Sequence, residues 1–197
     1  GGNVKNLTLD VNVKSVTNAS AALASASTAS QMVGVIKGGN VKNLTLDVNV
    51  KSVTNASAGL AAKADAFQNV GFIDTGKGPL SNDTLSIKTH SITNVSAALV
   101  GGASAKQDVG VISGAAKGSI LKVDVSGGIS NVAATIAGSA EALQDIGSID
   151  TKGASDDRVS INAEYIHGAS VSLLGAAKVE QLIGSVSGDK VKNSAVT

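Results

Sequence analysis

The stretch GGNVKNLTLDVNVKSVTNASA at residues 1–21 recurs without a single change at residues 38–58. An identical copy 37 residues away is typical of a repeat protein, in which each unit buries its core against its neighbours. We therefore predict that the chain is one repeat array and not one or two globular domains.

One glutamine per repeat marks diverged copies along the rest of the chain. Successive glutamines are 37, 39, 37 and 37 residues apart, and a glycine follows each of them three positions later. An asparagine precedes each of the first four glutamines by 13 positions, and Gly168 replaces it in the fifth copy. The glutamines are Gln31, Gln68, Gln107, Gln144 and Gln181; the glycines are Gly34, Gly71, Gly110, Gly147 and Gly184; the asparagines are Asn18, Asn55, Asn94 and Asn131.

These anchors divide the chain into a single array of five repeats, at residues 1–37, 38–76, 77–114, 115–150 and 151–187. Residues 188–197 contain the run Lys190, Val191, Lys192, Asn193, which looks like the opening of a sixth repeat. Because the chain is cut at a repeat boundary and starts without methionine, we expect it to be a processed product or a fragment.

The composition argues against several classes of protein. Hydrophobic residues make up 43% of the chain and the formal net charge is +1, which disfavours both disorder and nucleic-acid binding. Aromatic residues are only 2%, so the core is predicted to be thin and built from Ala, Val, Ile and Leu. No apolar run is long enough for a transmembrane helix, and the absence of cysteine excludes disulfides and thiolate sites.

Each repeat is predicted to form three short strands. Residues 7–13 alternate apolar and polar side chains, the pattern of a half-buried strand. Residues 16–24 alternate small apolar columns with serine, and we expect the serine positions, such as Ser96, to face outward. In the third segment Ala29 and Gln31 share one face, and the alternation breaks at Gly34. A helix is the rival prediction for this segment, because residues 139–143 are helix formers.

Stacking equivalent strands of successive repeats predicts an all-β fold, a parallel β-solenoid with one turn per repeat. The alternative of two coils of roughly 18 residues per repeat is less favoured, because the two halves of a repeat show little mutual similarity. In the fourth repeat the first strand is shifted by one residue against the anchors, and a bulge at Gly127–Gly128 would absorb the shift.

The repeated amides are predicted to form internal ladders. Gln31 alternates in phase with Ala29, so its side chain is expected to point to the apolar side. A buried amide without a partner costs about 1–3 kcal/mol, but stacked amides satisfy each other. The asparagines are expected to form a second ladder at a corner of each turn. A purely structural role is the favoured interpretation, and a row of amides that binds a ligand is the alternative.

Other candidate sites are weak. His90 and His167 fall in different columns of the repeat, and Asp65 and the pair Asp156–Asp157 lack the spacing of a calcium loop. Gly118–Ser119 is interpreted as a bend. We therefore expect no catalytic, cofactor-binding or metal-binding residues and no cofactor.

The regular repeats with Gln and Asn columns, Ser and Ala alternation, bend glycines and few aromatic residues resemble the repeat regions of bacterial functional amyloids of the curli and Fap type. The likeness covers the whole chain at the level of pattern, although the curli repeat is shorter. It implies a secreted subunit of an extracellular biofilm fibre, in which the ladder glutamines and asparagines hold the stack.

Two functions follow as expectations. The first is a structural, self-assembling fibre subunit at the cell surface or outside the cell, stacking head-to-tail on copies of itself. The second is the rigid stalk of a large secreted adhesin. A monomeric stalk needs polar or irregular terminal repeats, and the first repeat begins like the second. This favours the fibre over the stalk and over an enzyme.

Overall fold

The structure, a computed structural model, describes residues 3–37, 39–150, 155–187, 191–192 and 194–197, and at Lys77 the backbone alone. All regular elements in these ranges are strands, so the rival helix is wrong. They are β1 (Val4–Lys5), β2 (Thr8–Ala22), β3 (Ser27–Lys37), β4 (Val41–Lys42), β5 (Thr45–Gly59), β6 (Ala64–Ser81), β7 (Thr84–Ala98), β8 (Gly102–Lys117), β9 (Ile120–Thr135), β10 (Ser139–Asp150), β11 (Arg158–Ser172), β12 (Ala176–Ser187) and β13 (Ala195–Val196).

The strands form two parallel sheets. One contains β2, β5, β7, β9, β11 and β13, and the other contains β1, β3, β4, β6, β8, β10 and β12. Each long strand pairs with its equivalent one repeat away, so that Thr84 lies between Thr45 and Ile120. One repeat therefore makes one turn. The predicted parallel β-solenoid is confirmed, and the two-coil alternative is wrong.

The division of each turn differs from the expected three short strands. The first two predicted segments form one continuous strand, Thr45–Gly59 in the second repeat. Val50 and Val53 are both fully buried although they are three positions apart, so the strand bends between them. The boundary expected from the sequence lies at this bend, but the parallel pairing continues on both sides of it.

The interior has two regions of different chemistry. In what we call the aliphatic half, represented by residues 45–53 and 70–80, the buried side chains are mainly Leu, Ile and Val. In the amide half, represented by residues 54–68, they are Asn, Ser, Gln and Ala. The two halves follow one another along each strand, so every turn contains both.

The glycine that follows each glutamine lies inside its strand. All five have a φ between 60° and 68°, a conformation that glycine adopts without a steric penalty. At Gly71 a Cβ atom would also lie 2.6 Å from Cδ1 of Ile87 on the facing sheet. The predicted irregularity at Gly127–Gly128 is confirmed, because the pairing of β9 with β11 shifts between Ala163 and Tyr165.

At the last turn, Ala195–Val196 pairs in parallel with Arg158–Val159 and so begins a further layer of that sheet. Lys192 forms an isolated parallel bridge with Ser155, which itself bridges to Lys117 at the end of β8. Lys190 and Asn193, which belong to the expected sixth repeat, lie outside the described residues, as do residues 1–2, 38, 151–154 and 188–189.

Candidate functional site

The five glutamines form a continuous column in the interior of the solenoid. Each Nε2 donates to the Oε1 of the glutamine in the preceding turn, at distances of 3.0, 2.8, 2.8 and 2.6 Å from the first pair to the last. Gln68 and Gln107 are fully buried. Their remaining amide hydrogens are directed across the interior, to the carbonyl oxygens of Thr54 at 2.9 Å and Thr93 at 3.1 Å.

The four asparagines form a second column with the opposite polarity. Each Nδ2 donates to the Oδ1 of the asparagine in the following turn, at 3.0 Å in all three pairs. The same nitrogens contact carbonyl oxygens of the facing sheet, such as Asn55 with Ala66 at 3.1 Å and Lys106 at 2.9 Å. Because the glutamines reach one sheet and the asparagines reach the other, the ladders join the two sheets.

Two expectations about this region are wrong. The asparagines lie in the middle of strands and not at a corner. The serine column is predicted to face outward, but Ser96 is fully buried and Ser57 is only 2% exposed. The reason is that Val53, Asn55 and Ser57 share one side of the strand: a strand that buries Val53 and the amide ladder must also bury the serine.

The apolar columns of the same segment consequently lie on the outer surface. We call this surface the outer stripe. It comprises four columns of side chains, each stacked through five turns: Ala19, Ala56, Val95, Val132, Ala169; Ala21, Ala58, Ala97, Ala134, Val171; Leu23, Leu60, Leu99, Ile136, Leu173; and Ala24, Ala61, Val100, Ala137, Leu174. The third column is between 39% and 73% exposed. All twenty residues are apolar.

Four aspartates are held in environments that favour the neutral form. Burial raises the pKa of Asp145 to about 6, against the hydrogen bond that Ser148 Oγ donates to it at 2.9 Å. Asp145 stacks on Asp108 of the preceding turn, and burial also raises the pKa of Asp108, with Lys106 opposing the shift. The two carboxyl groups therefore disfavour each other's charge.

The other two aspartates are fully buried at the start of strands. Burial raises the pKa of Asp83 and Asp157, although Oδ1 of each accepts a backbone N–H, from Leu44 and Ser119 respectively, at 2.8 Å. In each carboxyl group Oδ2 is buried without a hydrogen-bond partner. Both residues therefore link their own turn to the preceding one through a hydrogen bond from its backbone. The sequence does not predict this role, since it offers Asp157 only as a possible calcium ligand.

The remaining candidates are separate from one another. His90 Nδ1 lies 3.1 Å from Ser126 Oγ, His167 is exposed, and Asp65 pairs with Lys63 at 3.1 Å. Within the described ranges no group of three or more His, Cys, Asp or Glu residues is arranged to hold a metal ion. The ladders and the outer stripe are therefore the features with the strongest claim to a function.

The sequence contains a signal for the outer stripe. The prediction for residues 16–24 is wrong because it assumes that the small apolar columns point inward, which places serine outside. The large apolar column of Val16, Val53, Ile92 and Ile129 has the same parity as the asparagines. That parity identifies the inward side.

No known protein family, curated protein or solved structure matches this chain. In the part of the chain that the structure describes, no helix has the length and apolar character needed to span a membrane.

Proposed function

We propose that this chain is a structural protein, a self-assembling subunit of an extracellular fibre in which copies stack head-to-tail through the strand edges of their terminal turns. One observation carries the proposal. Residues 1–21 and 38–58 are identical, yet Leu9 is 37% and Val13 is 38% exposed, whereas their equivalents Leu46 and Val50 are completely buried. Only the presence of a turn on both sides differs between the two copies.

The opposite end has the same property. Ile166, in the last full turn, is 53% exposed, whereas its partner Ile129 in the preceding turn is fully buried. In the described part of the chain β2, β3 and β12 each pair on one side only. Unpaired parallel edges backed by exposed apolar side chains are templates for further strands.

The glutamine ladder supplies polarity to such a contact. Each glutamine donates toward the preceding turn, so Gln31 directs its donor to one end and Gln181 directs its acceptor to the other. The two ends are therefore different and complementary, which makes the contact heterologous and open-ended. The asparagine ladder would be interrupted at each junction, because Gly168 stands in its column.

The experiment blocks one end at a time. Ala29→Lys places an inward-pointing charge on the edge of β3, and Ala177→Lys does the same on the edge of β12; inward charges on edges prevent strand addition. Met32→Lys and Leu182→Lys are the controls, because both side chains are exposed on the same two strands. Electron microscopy and sedimentation should show filaments for the unchanged chain and both controls, and monomers for each blocked variant.

Mixing the two blocked variants tests the head-to-tail geometry. Each retains one open end of a different kind, so the mixture should form head-to-tail pairs that extend no further along the stack. Dimers of either variant alone would indicate a head-to-head contact. An unchanged chain that stays monomeric at high concentration would contradict the fibre and favour the alternative function, a rigid stalk segment of a secreted adhesin.

A further inference from the structure

The outer stripe is an apolar surface that the fold itself leaves uncovered. Leu23 is 68%, Leu173 is 73% and Leu174 is 81% exposed. None of its twenty positions is charged or polar. On the other half of the same strands the outward positions are polar, as in Asp47, Asn49 and Lys51. The change from polar to apolar therefore occurs within one strand, and it repeats in every turn.

The surface of the stripe is uneven, because columns of large and small side chains lie next to each other. The Leu and Ile column forms a ridge, and the neighbouring column of Ala21, Ala58, Ala97, Ala134 and Val171 forms a trough beside it. Together they line an open groove of about 680 Å³ that runs along the stack. Ridge and trough lie side by side at the same height in each turn.

A two-fold axis parallel to the stack would make this relief self-complementary. Rotation about such an axis exchanges left and right but keeps the direction of the stack, so the ridge of one copy faces the trough of the other. A two-fold axis perpendicular to the stack would instead bring ridge against ridge. The first arrangement gives an isologous contact between two copies that point the same way. Because the stripe is uncharged, facing copies meet no like-charge repulsion.

The stripe of a single copy is too small for a stable contact, so the contact requires copies that are already stacked. Five turns at about 4.8 Å, and the five residue-to-residue steps across the stripe at about 3.3 Å, give a patch of about 24 by 17 Å, or roughly 400 Å² per copy. Two single copies would bury about 800 Å², which is below the 1,200 Å² or so of stable interfaces. Copies stacked head-to-tail add their stripes end to end, so two or more per filament exceed that value.

We infer that the outer stripe is the contact through which two filaments of this chain pair side by side in parallel orientation. The inference rests on the proposed head-to-tail assembly. The occupant of the stripe is a second copy of the chain, for three reasons: the stripe is complementary to itself, it carries no charge, and its area becomes sufficient only when copies are stacked.

The test compares filaments of the unchanged chain with two leucine-to-lysine variants. Leu99→Lys places a charge at the centre of the ridge. Leu143→Lys is the matched control, because Leu143 lies on the outer face of the other sheet, where the equivalent residue of the preceding turn is Lys106. We expect the unchanged chain and Leu143→Lys to form paired filaments. Leu99→Lys should form single filaments with half the mass per unit length in scanning transmission electron microscopy.

The outcomes separate this inference from the proposed function. Single filaments of the unchanged chain, or paired filaments of Leu99→Lys, would overturn the lateral contact and leave head-to-tail stacking in place. Single filaments that bind phosphatidylcholine vesicles, and lose that binding with Leu99→Lys, would assign the stripe to a lipid surface instead. A chain that forms no filaments at all would overturn both proposals.

Discussion

The aliphatic half and the amide half of each turn place apolar and polar side chains on opposite sides of the strand. In the aliphatic half Leu, Ile and Val lie inside and charged or amide side chains lie outside. In the amide half Asn, Ser and Gln lie inside and the Ala, Val and Leu of the outer stripe lie outside. The inverted half is stable because every turn supplies partners for the amides of the next. Its polar interior therefore depends on repetition, whereas the aliphatic interior depends on burial alone.

The largest expected effect is in the aliphatic half. Ile112 is fully buried, and Ile112→Ala should lower the free energy of unfolding by about 2–5 kcal/mol because it leaves a cavity. Leu99→Ala, on the outer stripe, should cost less than about 1 kcal/mol, since Leu99 is already 39% exposed. Chemical denaturation of the two variants measures the difference. Equal losses would mean that the stripe is covered in the folded chain.

The next effect tests the amide half. Gln107→Leu removes the hydrogen bonds to Gln68, Gln144 and the Thr93 carbonyl, and it should cost about 1–3 kcal/mol although it adds an apolar side chain. Lys106→Leu is the control, because Leu143 occupies the same outer column one turn later.

The control should change stability by no more than about 0.5 kcal/mol. A Gln107→Leu chain as stable as Lys106→Leu would show that the ladder contributes nothing beyond the space it fills.

The stability of the chain should also depend on pH in the direction set by its buried aspartates. The folded pKa of Asp145 is raised from 3.8 to about 6, so the folded state binds more protons than the unfolded state between these values. Proton binding by Asp145 therefore stabilises the folded state. This contribution is complete below the unfolded pKa of 3.8 and is lost as the pH rises through the folded pKa of about 6. Asp108 and Asp150 raise this pKa further, and Lys106 opposes them.

Asp145→Asn should reduce the change in the free energy of unfolding between pH 4 and pH 7 by on the order of 1 kcal/mol. The value is this small because solvent screens part of the interaction. Denaturation midpoints measured at several pH values check it. Asp150→Asn is the control, because Asp150 is an exposed carboxylate at the end of the same strand. This variant should keep most of the pH dependence of stability. A midpoint that rises from pH 4 to pH 7 in the unchanged chain would contradict the assigned direction.

The smallest effect separates two serines of the same inner column. Ser57 Oγ donates to the Ala64 carbonyl, whereas the buried Oγ of Ser96 has no hydrogen-bond partner. Ser57→Ala should therefore cost about 0.5–1.5 kcal/mol, and Ser96→Ala should be neutral or slightly stabilising. Ala133 already occupies this column in the next turn. Equal losses at both positions would show that Ser96 makes a hydrogen bond in solution.

Much of the architecture could be predicted because identical positions recur at a constant interval. The interval of Gln68 and Gln107 placed both residues in one column, and a parallel stack with one turn per repeat followed. The positive φ at Gly71 was likewise signalled by glycine at the same place in every repeat. The roles of Asp83 and Asp157 could not be predicted, because they depend on the backbone of the preceding turn and occur in only two repeats.

The sequence by itself determined the repeat, the parallel stacking and the column that each residue belongs to, because a strict period leaves one register in which like residues meet. The tertiary structure decided which side of each column is inside. In residues 16–24 both faces carry apolar side chains, Val16 on one and Leu23 on the other, so alternation alone cannot choose between them. The choice depends on the facing sheet, which lies close enough to satisfy Asn55 and Ser57 through its backbone carbonyls and therefore draws the polar face inward.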